Sequence, residues 1–376
     1  METLPTEVLW FILRDSVEHT DRVACARVSR LWRRILQREP DAKGCHDAPH
    51  FQGHLYASAL ARRGNLGALR WARDNGCPWG AQTCAAAAEG GHLETLQWAR
   101  DNGCPWDERT CTGAARGGHL DALEWAKANG CPWDEWTCSH AVRGGHLDAL
   151  QWARANGCPW DEWTCVEAAK RGDLQVLQWA RANGCPCDSP SVCNAAARGG
   201  HLETLKWLRA NGCPWDGETC ASAARGGHLE ALQWARANGC PWSEWTCFSA
   251  ADGGHMETLQ WARSNGCPWN STVCSAAARN GNLEMLQWAT THGCPWDEWT
   301  CAEAAKGGHL DVLRWTRENG CPWDASTCAH AAGSGHLGVL QWARANGCVW
   351  DGSAWRAASD GRHLDVIIWL HGQRCP

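Results

Sequence analysis

An all-α helical-repeat solenoid is the fold this sequence predicts, and three observations predict it. A 27-residue unit recurs along most of the 376-residue chain. Each unit reads as two helical stretches punctuated by glycine. One stretch carries small residues and the other carries tryptophan, so neighbouring units can interlock. A fixed period in this range is the signature of stacked repeats, which grow by addition rather than by enlarging one core.

The period is read from a cysteine that follows Asn-Gly in most copies: Cys77, Cys104, Cys131, Cys158, Cys185, Cys213, Cys240, Cys267, Cys294, Cys321, Cys348 and Cys375. Every interval is 27 except one of 28, where residues 188–192 hold an extra residue. A second cysteine recurs at Cys84, Cys111, Cys138, Cys165, Cys193, Cys220, Cys247, Cys274, Cys301 and Cys328. With 25 cysteines in a long helical chain, small buried free thiols are expected, and with them a reducing compartment, cytosol or nucleus.

The first helix of a unit is justified by its angles. With Cys301 at zero and about 100° per residue, Ala304 and Ala305 fall at about 300° and 40°, making one narrow apolar face. Offsets +1, +2 and +5 from the cysteine, which vary most between copies, are expected to point away. Asp107, Asp134, Asp161, Asp297 and Asp324 suit the N-cap. A Gly-Gly pair such as 117–118 ends the helix, because glycine adopts the left-handed conformation.

The second helix begins near Gly-Gly-His. Leu310, Val312, Leu313 and Trp315 spread over a broad arc, so this helix is expected to be sandwiched, with its tryptophans buried. Full burial of such a ring would be worth about 4–6 kcal/mol before entropy, as an upper bound. Asn-Gly closes the helix and a proline redirects the chain.

The unit resembles the ankyrin repeat. The resemblance rests on Ala114-Ala115-Arg116-Gly117-Gly118-His119-Leu120-Asp121, and on Asn-Gly-Cys standing where ankyrin repeats carry Gly-Ala. It covers roughly residues 51–376, about twelve units. Two departures matter. Trp299-Thr300-Cys301-Ala302 replaces the Thr-Pro-Leu-His motif, and the unit is shorter than the ankyrin norm. The projecting β-hairpin is therefore expected to shrink to a tight loop, leaving the first-helix face as the contact surface.

Residues 1–40 do not repeat. Apolar positions Val28, Leu31, Trp32, Ile35 and Leu36 keep helical spacing. Three short helices in so few residues cannot bury a core alone, so a partner is implied. The segment resembles an F-box through Leu4, Pro5, Glu7, Leu9, Ile12, Leu13, Asp21, Val28, Ser29, Trp32 and Arg33. That resemblance implies docking onto a Skp-class adaptor of a cullin–RING ubiquitin ligase, mainly through Leu4, Pro5, Leu9, Ile12, Leu13, Val28 and Trp32. Residues 41–50 read as a linker. An F-box ahead of Trp/Cys-rich ankyrin-like units is similar to multigene families of giant DNA viruses of amoebae and of some algae, for which the compartment would be host cytoplasm.

Several classes are set aside. A net charge of −6 argues against nucleic acid as partner. No run of 18 apolar residues suggests a membrane span. Cys104, Cys111 and His119 raise the question of zinc, but there is no Cys-x2-Cys knuckle. Asp173 and Asn282 replace the His, Cys187 replaces a Trp and Trp355 replaces a Cys without other disruption. Packing is the reading; no metal or cofactor is expected. Near-identical copies of a Cys/His pair do not make the unique constellation an enzyme needs, so no catalysis is expected.

Four copies carry an extra tryptophan two residues before the second cysteine: Trp136, Trp163, Trp245 and Trp299. With Phe248, His140 and His330, they are the expected target-binding residues, since an exposed indole beside variable positions is an interface anchor; Arg356 is a weaker candidate. Packing against a neighbouring loop is the competing explanation. The expected function is a non-catalytic substrate receptor of a Skp/cullin/F-box ligase. The alternative is a passive ankyrin-type scaffold or decoy that recruits no ligase.

Overall fold

The computed structural model describes residues 53–74 and 76–373. Among these residues there are twenty-four helices in twelve pairs, with no strand and no helix long and apolar enough to cross a membrane. The first four pairs are α1 (Gly53–Arg62) and α2 (Leu66–Asp74), α3 (Ala81–Glu89) and α4 (Leu93–Asp101), α5 (Glu108–Gly117) and α6 (Leu120–Ala128), and α7 (Glu135–Gly144) and α8 (Leu147–Ala155). The fifth is α9 (Glu162–Arg171) and α10 (Leu174–Ala182). Then come α11 (Pro190–Arg198) and α12 (Leu202–Ala210), α13 (Gly217–Arg225) and α14 (Leu229–Ala237), α15 (Glu244–Asp252) and α16 (Met256–Ser264), and α17 (Ser271–Arg279) and α18 (Leu283–Thr291). The last three are α19 (Glu298–Gly307) and α20 (Leu310–Glu318), α21 (Ala325–Gly333) and α22 (Leu337–Ala345), and α23 (Gly352–Asp360) and α24 (Leu364–Gly372). Pairs are joined by tight loops where a hairpin finger would stand.

The chain divides into two compact units. One runs to Glu167 and includes Trp179–Cys185; the other comprises Ala168–Gln178 and the residues from Pro186 onward. In the first unit, α1, α3, α5 and α7 pack successively on one another. In the second, α11, α13, α15, α17, α19, α21 and α23 do the same. Within each unit the second helices touch one another only sparsely.

The first helices approach closely because their shared face is small. Cys111, Ala114 and Ala115 are fully buried, as are Cys301, Ala304 and Ala305. Four of the five expected caps form; Asp107 accepts from the Arg109 amide at 3.1 Å and Asp297 from that of Trp299 at 3.1 Å, whereas Asp134 stands at the N-cap without a side-chain hydrogen bond. Stacking on both sides corrects the expectation for offsets +1 and +2. Ser139, Val166, Ala221 and Ala302 at +1, and Gly113 and Ser249 at +2, are buried. Offset +5 is the outward one, with Arg116, Arg143 and Lys306 exposed.

Twenty cysteines among the described residues are free and buried, as expected, whereas Cys165 and Cys187 depart from the expectation and are disulfide-bonded. Each loop thiol has a fixed acceptor. Cys131 donates to the Asp107 carbonyl at 3.4 Å and Cys240 to that of Asp216 at 3.3 Å, in both cases the N-cap residue of the preceding first helix. A buried thiol that reaches a carbonyl leaves no polar group stranded.

The tryptophans depart from expectation. Rings of the second helices, such as Trp98, Trp125, Trp234 and Trp342, are half-buried rather than sandwiched. Each meets the loop tryptophan of the preceding unit edge-on: Trp79–Trp98 at 5.7 Å, Trp106–Trp125 at 5.8 Å, Trp215–Trp234 at 5.7 Å and Trp242–Trp261 at 6.0 Å. The other face of the loop ring carries a cation from the second helix of its own unit. Arg100 lies 4.4 Å over Trp106, Arg209 4.5 Å over Trp215 and Arg236 4.5 Å over Trp242. Edge-to-face pairs add about 0.5–1.5 kcal/mol each beyond area, and a partly exposed cation–π contact about 0.5–1 kcal/mol. Second helices too far apart to pack directly are thus joined by indole and guanidinium.

The Gly-Gly-His junction is the third link between units. His228 leaves its own helix uncapped and reaches the Arg198 carbonyl with Nε2 at 3.0 Å; His255 reaches that of Arg225 at 3.1 Å. A Cβ on Gly226 would lie 2.5 Å from the His228 ring and 2.6 Å from the Arg198 oxygen. Gly227 has φ +73, and a Cβ there would lie 2.4 Å from the His255 ring. Both glycines thus make room for a histidine, although Ser334 fills the first position beside His336. Where the histidine is absent that need lapses. Asn282 caps its own helix through the Met285 amide at 3.0 Å, Asn280 stands at the first glycine position, and its amide donates to the Asp252 carbonyl at 2.8 Å.

Candidate functional site

The candidate site is the outward face of the first helices, built from the N-terminal turn of each helix. In the first unit, Trp136 of α7 and Trp163 of α9 stack at 6.4 Å with an interplanar angle of 24°. His140, one turn along α7, lies edge-on to Trp136 at 6.0 Å and is anchored by Nδ1 at 2.9 Å from the Trp136 carbonyl. In the second unit, Trp245 of α15 meets Phe248 at 5.5 Å, and Trp299 of α19 meets His330 of α21 at 5.9 Å.

Exposures bear on whether these rings bind or pack. Trp136, Trp163, Trp245 and Trp299 keep 45, 44, 56 and 51% of their surface in solvent. Neighbour contacts orient each ring while about half of its surface stays open. Phe248, His140 and His330 are half-buried supports, and Arg356 is exposed. Burial pushes the Asp134 and Asp161 carboxyls upward, with the Glu135 charge acting in the same direction.

Sequence reasoning missed a valley between Phe248 and Trp299. At α17 the recurrent tryptophan position holds Thr272, and Ser271 and Ser275 are also short. Phe248 and Trp299 rise on either side, and the space between is about 300 Å³. Behind it runs an ion-pair relay. Asp252 pairs with Arg225 at 3.0 Å and with Arg279, and Arg279 Nε lies 3.8 Å from Glu303, which is 3.9 Å from Lys306. The first unit has a shorter version, with Glu89 between Arg62 at 2.7 Å and Arg116 at 3.5 Å. Small Thr272 between large copies was the available signal.

The expected adaptor-binding residues, Leu4, Pro5, Leu9, Ile12, Leu13, Val28 and Trp32, lie outside the described residues. They fall within the segment that a family model recognises: residues 1–40 match the F-box-like family. The chain therefore carries an F-box-like segment ahead of repeated helical units, the organisation of a protein-interaction adaptor. No curated protein matches the chain. Among solved structures it is similar to the human ASB11 ankyrin repeat domain, with 17% identity, a TM-score of 0.35, and coverage of 42% of this chain and 84% of that one. It is also similar to the pentatricopeptide repeat protein PPR10 in complex with an 18-nt psaJ RNA element, at 15% identity and TM-score 0.39, covering 98% of this chain and 63% of that one. PPR10 from maize gives 16% identity and TM-score 0.36, covering 100% and 65%. The chain spans less than two thirds of the length of PPR10.

Proposed function

We propose that the chain is a non-catalytic substrate receptor of a Skp/cullin/F-box ubiquitin ligase. Residues 1–40 hold the adaptor through Leu4, Pro5, Leu9, Ile12, Leu13, Val28 and Trp32, residues 41–50 act as linker, and the repeats from residue 51 hold a target protein. The observation that carries this reading is the F-box-like match over residues 1–40, directly ahead of helices that present half-exposed indoles. Half-exposed, preoriented tryptophans are what a protein-binding face needs, because they lose little side-chain freedom on docking. Twenty buried free thiols fit work in a reducing compartment, cytosol or nucleus.

The test is a pull-down from eukaryotic lysate with the full chain and with a Leu9→Asp/Trp32→Ala double variant. Capture of a Skp-class adaptor and a cullin by the parent alone is the expected result. Capture of neither by a folded parent overturns ligase recruitment and leaves a binding scaffold or decoy.

A further inference from the structure

The valley over α17 has a chemistry of its own. Its walls are Phe248 and Trp299, and Asp297 and Glu303 also line it. Glu303 Oε2 is buried without a hydrogen bond, with Arg279 Nε 3.8 Å away, and Glu303 Oε1 lies 3.9 Å from Lys306 Nζ. Arg279, the cation among the lining residues, is already engaged by Asp252.

The loop-side ends of α13, α15, α17, α19 and α21 extend this charge. Residues 214–219, 241–246, 268–273, 295–300 and 322–327 contain Asp216, Glu218, Glu244, Asp297, Glu298 and Asp324, and no Lys or Arg. Aromatic faces beside carboxylates attract a cation twice over, through the ring quadrupole and through opposite charge. The same rim repels a carboxylate or a phosphate. An apolar occupant would cover Asp297 and Glu303 without supplying a donor, which is unfavourable.

The geometry points to a Lys or Arg side chain of a bound protein segment, seated between Phe248 and Trp299 with its charge toward Asp297 and Glu303. This rests on the first-helix face being the target-binding face, and it names the chemistry that face selects.

The experiment uses the full chain and fluorescein-labelled peptides of one Gly/Ser frame carrying two Arg, two Leu or two Glu, read by anisotropy. The Arg peptide is expected to bind at least about tenfold tighter than the other two. Thr272→Trp should fill the valley and reduce that binding at least about tenfold. This variant places at α17 the residue that four other copies already carry, so it should fold, and its thermal midpoint checks that. Trp299→Ala removes an exposed wall and should weaken the same peptide. Equal or tighter binding of the Leu or Glu peptide overturns the inference, and so does Arg-peptide binding that neither variant weakens. Repeating the titration with Leu9→Asp/Trp32→Ala separates the two proposals. Arg selectivity that persists there supports the valley whatever the adaptor result, whereas adaptor capture without Arg selectivity leaves the receptor reading standing and removes this one.

Discussion

His228 crosses from one unit to the next with a single ring nitrogen, and two glycines make room for it. The energetic consequence is a coupling rather than a sum. Alone, Gly226→Asn drives a side chain into the His228 ring and the Arg198 carbonyl, and should cost about 2–3 kcal/mol. His228→Asn loses the bridge for about 1 kcal/mol. Together they recreate the arrangement at Asn280 and Asn282, where the amide takes over the carbonyl, so the pair should cost less than their sum by at least about 1 kcal/mol. Urea unfolding of the two single variants and the double checks the sign; additive costs would contradict the coupling. The sequence shows this pattern twice more in side chains larger than glycine: Arg63 precedes Asn65 and Arg171 precedes Asp173 where histidine is missing. Small Ser334 sits beside His336, which still reaches the Lys306 carbonyl at 3.1 Å.

At the scale of the element, caps, glycine stops and the Cys/Ala face were all legible, because each depends on one helix and its own ends. What stayed hidden depends on neighbours. A helical wheel places offset +1 of Ala302 away from Cys301, yet the next first helix covers it. A tryptophan in an apolar arc reads as core, yet Trp234 lies half in solvent against Trp215. The indole–guanidinium stack could have been found from spacing alone, since the cation stands six residues before the loop tryptophan in Arg100/Trp106 and Arg236/Trp242. Removing the Trp242 ring by substitution to Ala should cost about 2–3 kcal/mol. A cycle with Arg236→Ala should return a coupling of about 0.5–1 kcal/mol. The edge-on pair tolerates loss of the cation: Thr290 occupies its position in one unit, and Trp296–Trp315 remain 5.8 Å apart. A coupling of zero would show that the guanidinium merely rests there.

Over the whole molecule, the repeat, its period and its all-helical class were readable from the spacing of cysteines, whereas the valley was not. It exists because one copy is small between two large ones, and only folding sets those three side by side. The thiols also give the chain a pH dependence. Burial, reinforced by the Asp161 charge, pushes Cys185 from 9.0 up to about 12. Below pH 9 the thiol is protonated in both folded and unfolded chain, and its contribution is complete. Between 9 and 12 only the unfolded chain releases the proton, so stability falls by up to about 1.4 kcal/mol per pH unit for such a group. Cys84, Cys111 and Cys220 are raised through their partner thiols and then burial, while those partners, Cys104, Cys131 and Cys240, are lowered by the same contacts, so the pairs offset one another and Cys185 carries the effect. The urea midpoint should therefore hold between pH 7 and 8 and drop between pH 9 and 10.5, and a Cys185→Ala variant should lose that drop; the same drop without Cys185 would assign it elsewhere. The junction described first has one further effect, on heredity. Because a copy such as that of His228 carries both a histidine for the copy before it and an acceptor carbonyl for the copy after it, duplicating or deleting a whole 27-residue stretch leaves every donor facing an acceptor. Unequal exchange can thus lengthen, shorten or shuffle the array without inventing a contact, and a gene of this design can change what it displays faster than it changes how it holds together.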